Sequence, residues 1–194
     1  MTWDRNVGAF DRRASTYDRG WRGRLHTEIV GHTATLAAGQ ASSSRVMDVG
    51  CGTGQLLIRL GELIPQAALC GVDAAPGMAR AAHQRGLNVS VAVAEALPFP
   101  DGAFELVVTS TSFDHWEDQL GGLRECRRIL TPGGRLLLVD QFWPPLVARW
   151  LRDSAHRART TARAGRLLAE AGFGSIQWRP VYATVIKGAT ATAE

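Results

Sequence analysis

The sequence predicts an α/β fold in a single domain: a mostly parallel sheet with helices on both faces. Three observations carry this. From Ser44 onward, short apolar runs alternate with helical patterns, the rhythm of strands joined by crossover helices. Three glycines, Gly50, Gly52 and Gly54, stand between the first apolar run and the first helical pattern, where a strand turns sharply into a helix. With 194 residues, 45% of them hydrophobic and 21% charged, the chain can bury a core without disulfide or metal support.

The elements follow in order. Arg45-Val46-Met47-Asp48-Val49 is the first strand, and the helix after the glycines shows its apolar residues at Leu56, Leu57, Leu60 and Leu63. Ala68 to Asp73 is the second strand. Pro76 suits the first position of a helix reaching about Arg85, which Gly86 stops. Val89 to Val93 makes a third strand. After the turn Pro98-Phe99-Pro100-Asp101-Gly102 come a fourth strand, Phe104 to Thr109, and a helix over about Glu117 to Leu130. Pro132-Gly133-Gly134 ends that helix, and the apolar run Arg135 to Asp140 reads as a strand buried on both faces. A helix from about Thr160 to Ala171 ends at Gly172. Ser175 to Arg179 and Val181 to Lys187, separated by little more than Pro180, must then pair antiparallel, because no crossover fits between them.

Within the one domain, residues 1–40 form an N-terminal helical lid or edge helix, 44–140 a ligand-binding core, 141–157 a short insertion, and 158–187 the C-terminal helix and β-hairpin. Trp3, Phe10, Tyr17 and Trp21 stand seven, seven and four residues apart, a spacing that lines one helical face. Trp143 and Trp150 lie in the insertion.

Composition excludes several classes. No run of about 18 apolar residues appears, and Asp4 and Arg5 break any leader-like start. The three cysteines, Cys51, Cys70 and Cys126, form no C-x-x-C pair, so a reducing cytoplasm is expected and no metal is. The net charge of +4 comes almost wholly from scattered arginines, Lys187 being the sole lysine, and the small excess disfavours nucleic acid as a partner. An arginine-rich, aromatic N-terminal helix is compatible with peripheral contact at an anionic membrane.

The chemistry concentrates at the strand ends. A dinucleotide fingerprint is G-x-G-x-x-G/A, but Gln55 occupies the third position and Asp48 stands two residues before the first glycine. Both disfavour a pyrophosphate. A carboxylate at the end of a buried strand is costly unless paired, and a cationic ligand group such as an amino acid's ammonium would pair it. Asp73, nineteen residues after Gly54, stands where such folds set a carboxylate against ribose hydroxyls. Together these features predict a ligand with a ribose and an amino group.

The motifs D-V-G-C-G-T-G, G-V-D-A-A-P-G-M, A-E-A-L-P-F-P-D-G-A-F-E-L-V and L-R-E-C-R-R-I-L-T-P-G-G-R-L, in this order, resemble the class I S-adenosylmethionine-dependent methyltransferases. The likeness is to the small-molecule, ubiquinone/menaquinone-type branch. It covers residues 44–187, and Phe10 to Asp18 resembles that branch's opening segment. The resemblance implies a Rossmann-like seven-stranded sheet of order 3-2-1-4-5-7-6, and S-adenosylmethionine as cofactor with S-adenosylhomocysteine as product. It also implies that Asp48, Gly50, Cys51 and Gly52 hold the methionine end and that Asp73 binds the ribose. Ala74 and Met78 would flank the adenine, with Ala94 and Glu95 at its edge. Ser110 would face the sulfonium, and Tyr17 would reach the cofactor from the N-terminal segment. One departure stands out: Val93 occupies the place where an aspartate commonly accepts from the adenine amino group, and Glu95 or a backbone carbonyl is expected to compensate.

The expected activity is methyl transfer to a small organic acceptor, in which the protein supplies orientation and electrostatics. A catalytically inactive cofactor-binding module, as a regulatory or partner protein, is the alternative. For a hydroxyl acceptor, His115 and Asp114 are the leading candidate bases, and His26 and His32 the weaker ones. Phe10, Trp21, Trp143 and Trp150 are candidates to line an apolar pocket. Thr109-Ser110-Thr111-Ser112 replaces the [D/N/S]-P-P-[Y/F/W] motif of nucleobase and glutamine methylation. A reductase would need Tyr-x-x-x-Lys, but Ala183 precedes Lys187 by four. A monomer or homodimer is expected.

Overall fold

The computed structural model describes residues 3–41, 45–144, 147 and 160–194. Most of the 141–157 insertion, Trp150 included, and the side chain of Trp3 lie outside what is described. The seven strands form one sheet in the order β3-β2-β1-β4-β5-β7-β6. They are β1 (Arg45–Val49), β2 (Ala68–Asp73), β3 (Val89–Val91), β4 (Phe104–Ser110), β5 (Leu130–Gln141), β6 (Phe173–Tyr182) and β7 (Ile186–Ala193). β1 to β5 run parallel, and β7 lies antiparallel between β5 and β6. The order and the sense of the closing hairpin agree with the sequence reading.

The period-two alternation of the central strands divides the core between the two faces. Val46, Leu106, Val108, Leu137 and Val139 pack under helices α2 (Gly20–Ala38) and α3 (Gln55–Leu63), meeting Ile29, Val30, Ala34, Leu56 and Leu60. Met47, Val107, Leu136 and Leu138 point to the other face. There α5 (Gln119–Ile129) and α6 (Thr161–Glu170) bring Leu123, Cys126, Ile129, Ala164 and Leu168. Burying one such leucine contributes roughly 1.5–3 kcal/mol. α4 (Pro76–His83) opens on Pro76, as expected, and buries Met78, Ala79 and Ala82.

Three local expectations are corrected. First, the closing hairpin does not turn at Pro180. Its strands meet at Ala183-Thr184-Val185, with Ala183 at φ 48°, and Pro180 lies inside β6 opposite Lys187. β6 is the edge strand, where a residue without an N–H is tolerated, and the register shifts between Pro180 and Tyr182. The C-terminal unit therefore extends to Ala193 rather than Lys187. Second, β5 begins directly after α5, at Leu130, and passes through Pro132-Gly133-Gly134, with its register against β4 shifted there. Third, the N-terminal aromatics do not share one helical face. α1 (Trp3–Arg13) and α2 are separated by a 3-10 turn, Ala14–Thr16, and by extended Arg19, so Phe10 and Tyr17 belong to different elements and Trp21 is 65% exposed.

Candidate active site

The site begins with the turn after β1. The Gly50 and Cys51 amides both donate to the Val72 carbonyl, at 2.8 and 2.9 Å, which folds the turn back over the end of β2. Gly50 has φ +78°, and a Cβ there would lie 1.9 Å from Ser112 Oγ, so only glycine fits. Gly52, at φ +55°, would carry a Cβ that meets nothing within 4 Å. Its amide donates to Asp73 Oδ2 at 2.8 Å, and the Ala75 amide donates to Asp73 Oδ1 at 2.8 Å. One carboxylate thus ties together the turns after β1 and β2.

Asp48, Asp73 and Ser110 close the C-terminal ends of the adjacent strands β1, β2 and β4 around one cavity. Burial, reinforced by Asp73, pushes the Asp48 carboxyl up to about 8. Burial also raises Asp73, against the two amide hydrogen bonds that favour its charge. Two crowded acids that resist ionisation form a site that gains most from a cationic ligand group.

All eleven residues expected to bind cofactor, Tyr17, Asp48, Gly50, Cys51, Gly52, Asp73, Ala74, Met78, Ala94, Glu95 and Ser110, line this cavity. So do Phe10, His26 and His115. Asp114 does not: its amide donates to Asp140 Oδ2 at 3.2 Å in the 3-10 turn Phe113–His115, and its side chain is not part of the lining. Asp114 is therefore set aside as a base. Trp21 and Trp143 also lie off the lining, and His32 packs on Tyr182 at 5.8 Å, away from it. Val93 lines the cavity, as placed, but Glu95 is engaged elsewhere: its Oε1 accepts from the amides of Glu117 and Asp118 at 2.9 and 3.0 Å. That carboxylate holds the entrance to α5 before it can serve any ligand.

The N-terminal segment contributes Phe10, Tyr17 and His26 to the wall of the cavity. Phe10 meets His115 edge-on at 4.9 Å and Tyr17 at 6.2 Å, and the Arg13 guanidinium stands over both rings. Sequence reasoning missed what fastens it. Asp18 accepts from Thr53 Oγ1 at 2.9 Å, from Gln55 Nε2 at 2.6 Å and from Arg85 at 2.5 Å. Burial opposes its charge, but these donors outweigh burial and hold its carboxyl below the usual range. Asp11 accepts from the Gly77 amide at the start of α4. These partners lie 35 to 67 residues away in the chain, and the spacing of their types carries no signal for such pairing.

Comparison with known proteins fits this geometry. Residues 47–138 match the family described as methyltransferase domain. The malonyl-[acyl-carrier protein] O-methyltransferase of Geobacter sulfurreducens is 35% identical over 189 residues, covering 87% of this chain and 70% of that protein. The chain belongs to the class I S-adenosylmethionine-dependent methyltransferases. The demethylmenaquinone methyltransferase of Deinococcus radiodurans is 38% identical over 134 residues, 66% of this chain and 52% of that protein. The chain thus spans between about half and 70% of the length of these two curated relatives. Among solved structures, a SAM-dependent methyltransferase of Thermotoga maritima shares the fold, with a TM-score of 0.74 at 22% identity over 95% of this chain and 98% of that one. Among the described residues of this methyltransferase, no helix is long and apolar enough to cross a membrane, and no group of three or more His, Cys, Asp or Glu is placed to hold a metal ion.

Proposed function

We propose that the protein is a cytoplasmic enzyme that methylates a small organic acceptor with S-adenosylmethionine as donor. One observation carries the reading most: two buried acids and an open glycine turn converge on one cavity at the ends of β1 and β2. The residues suit the cofactor. Asp48, with Gly50, Cys51 and Gly52, would meet the methionine end, where an ammonium relieves the crowding of the two acids. Asp73 holds one amide on each oxygen and keeps lone pairs for ribose hydroxyls. Ala74 and Met78 would flank the adenine and Ala94 its edge, with Tyr17 closing over it and Ser110 on the acceptor side. When bound, the cofactor supplies an activated methyl group on a sulfonium. The protein's part is to seat both partners in line and to exclude water, and the latched lid serves that end.

The test compares S-adenosylmethionine, S-adenosylhomocysteine and NADH by thermal shift and calorimetry on the wild type and Asp73→Ala. At a hundredfold its Kd a ligand adds about 2.7 kcal/mol, hence roughly 5–10 °C for this size. A shift with both adenosyl ligands, lost in Asp73→Ala and absent with NADH, is expected. No adenosyl shift in the wild type would overturn the reading.

A further inference from the structure

A second concavity lies on the outer part of the sheet, beside the last turn of α2, and shares no lining residue with the active-site cavity. Its volume is about 440 Å³. β5 contributes Arg135, β7 Thr190 and Thr192, and β6 Ser175, Gln177 and Arg179, while α2 walls it between Thr35 and Gln40. On the same face of β5, Leu137 and Val139 are packed beneath α2, and the face turns polar where the helix ends. Arg135 pairs with Thr192 and Arg179 with Gly188, so the two arginines flank β7 four residues apart along it. At about 3.3 Å per residue and about 4.8 Å between strands, their Cα atoms stand roughly 16 Å apart, a span that two extended guanidinium groups close from either end. Ser175 has φ 50° at a register shift of β6, the kind of bulge by which an edge strand re-aims a side chain.

Capping the helix end is not what holds these arginines in place. The last carbonyls of α2 already have partners: Thr35 O accepts from the Gly39 amide at 3.2 Å, Leu36 O from Gln40 Nε2 at 3.1 Å, Ala37 O from the Gln40 amide at 2.9 Å and Ala38 O from the Ala41 amide at 3.3 Å. Neither arginine side chain makes an ion pair or hydrogen bond among the described residues, whereas Arg45, Arg59, Arg85, Arg124 and Arg128 each meet a carboxylate. Among the described residues no acid lines the groove, and Glu194 lies beside Gly174, outside it. The end of α2 brings about half a negative charge against two full positive ones, so the groove keeps a cationic excess. We propose that this groove binds a small oligophosphate, two or three linked phosphate groups carried free or on a nucleotide, with Arg135 and Arg179 gripping its two ends. A guanidinium meets phosphate oxygens through paired hydrogen bonds, and the Ser175, Thr190 and Thr192 hydroxyls and the Gln177 carboxamide supply neutral donors between them. The span between the arginines suits a linked chain rather than a single phosphate. This site goes beyond methyl transfer and shares no residue with the cavity assigned to it.

The test is calorimetry of the full chain with sodium tripolyphosphate and with ATP, the ATP arm in excess S-adenosylhomocysteine so that its adenosine stays out of the active-site cavity. Tripolyphosphate is expected to bind at one site per chain. Arg135→Gln and Arg179→Gln should each weaken it at least tenfold, the scale of a charge-assisted hydrogen bond. Arg166→Gln, the same change of charge at an exposed position of α6, should hold it within about twofold. The amide resonances of Thr190 and Thr192 should move on addition of tripolyphosphate to the wild type and stay still in the double variant Arg135→Gln/Arg179→Gln. Equal affinity for the two probes would assign the phosphate chain alone as ligand, and tighter ATP a nucleotide. No binding of either probe at about 1 mM, wild-type affinity in the two glutamine variants, or an equal loss in Arg166→Gln overturns the site. Inorganic phosphate that binds as tightly as tripolyphosphate overturns the two-ended grip.

Discussion

Replacing Asp48 with asparagine should stabilise the ligand-free protein at high pH and abolish its response to cofactor. The carboxyl is buried at the end of β1 beside Asp73, and its value of about 8 in the fold compares with 3.8 as the ordinary value. Between these limits the folded chain binds a proton that the unfolded chain has released, so stability falls as pH rises from about 4 and levels off above about 8. At about 1.4 kcal/mol per unit, the difference caps the penalty on the order of 5 kcal/mol. Asparagine has nearly the same shape and carries no charge. It should raise Tm by up to roughly 10–20 °C at about pH 8.5 and by less than about 2 °C near pH 4, where the wild-type carboxyl is already neutral in the fold. Calorimetry of both proteins across this range reads the effect. In the same scans S-adenosylmethionine should stabilise the wild type and leave Asp48→Asn almost unmoved. An asparagine variant whose Tm difference is the same at both ends of the range, or one that is less stable at high pH, would refute the account of a strained buried acid.

Three further outcomes follow from single contacts. Gly50→Ala should cost several kcal/mol by urea unfolding, since its Cβ meets Ser112 Oγ at 1.9 Å; measured against Ser112→Gly, which itself loses the acceptor of the Trp116 indole N–H, the same change should cost only the roughly 1–2 kcal/mol of a left-handed alanine. Asp18→Asn should loosen the lid, seen as faster proteolysis between Ala14 and Gly20, and the Asp18 contribution in the wild type should be present above pH 3.8 and lost as pH falls through its lowered value. Glu95→Ala should destabilise by about 1–3 kcal/mol in the absence of any ligand, because the Glu117 and Asp118 amides lose their acceptor, whereas Glu95→Gln should cost less than about 1 kcal/mol. Equal losses in both Glu95 variants would show that charge, not acceptance, matters there.

Much of the fold was legible because the signals are local. Apolar runs and glycine punctuation marked β1, β2 and β4, and Pro76 and the glycines at the helix ends marked where the chain turns. Part of the cavity lining was legible for the same reason, since Asp48, the glycine turn and Asp73 sit at strand ends with their spacing intact. β7 was not. Its sequence Gly188-Ala189-Thr190-Ala191-Thr192-Ala193 has weak strand preference, and it becomes a strand because β5 and β6 flank it on both sides. The same pairing draws Pro180 into β6. Tertiary structure alone decided how the N-terminal segment is fastened. Asp18 finds Thr53, Gln55 and Arg85, and Asp11 finds the Gly77 amide, only after α1 folds back across the strand ends. It also separated the histidines, leaving His26 half-buried against Tyr17 and His115 exposed. Periodicity and turn chemistry are written residue by residue, whereas burial of a given side chain depends on what distant segments bring to it, so the sequence by itself determined the scaffold and the strand ends around the cavity, and packing chose which other groups line it.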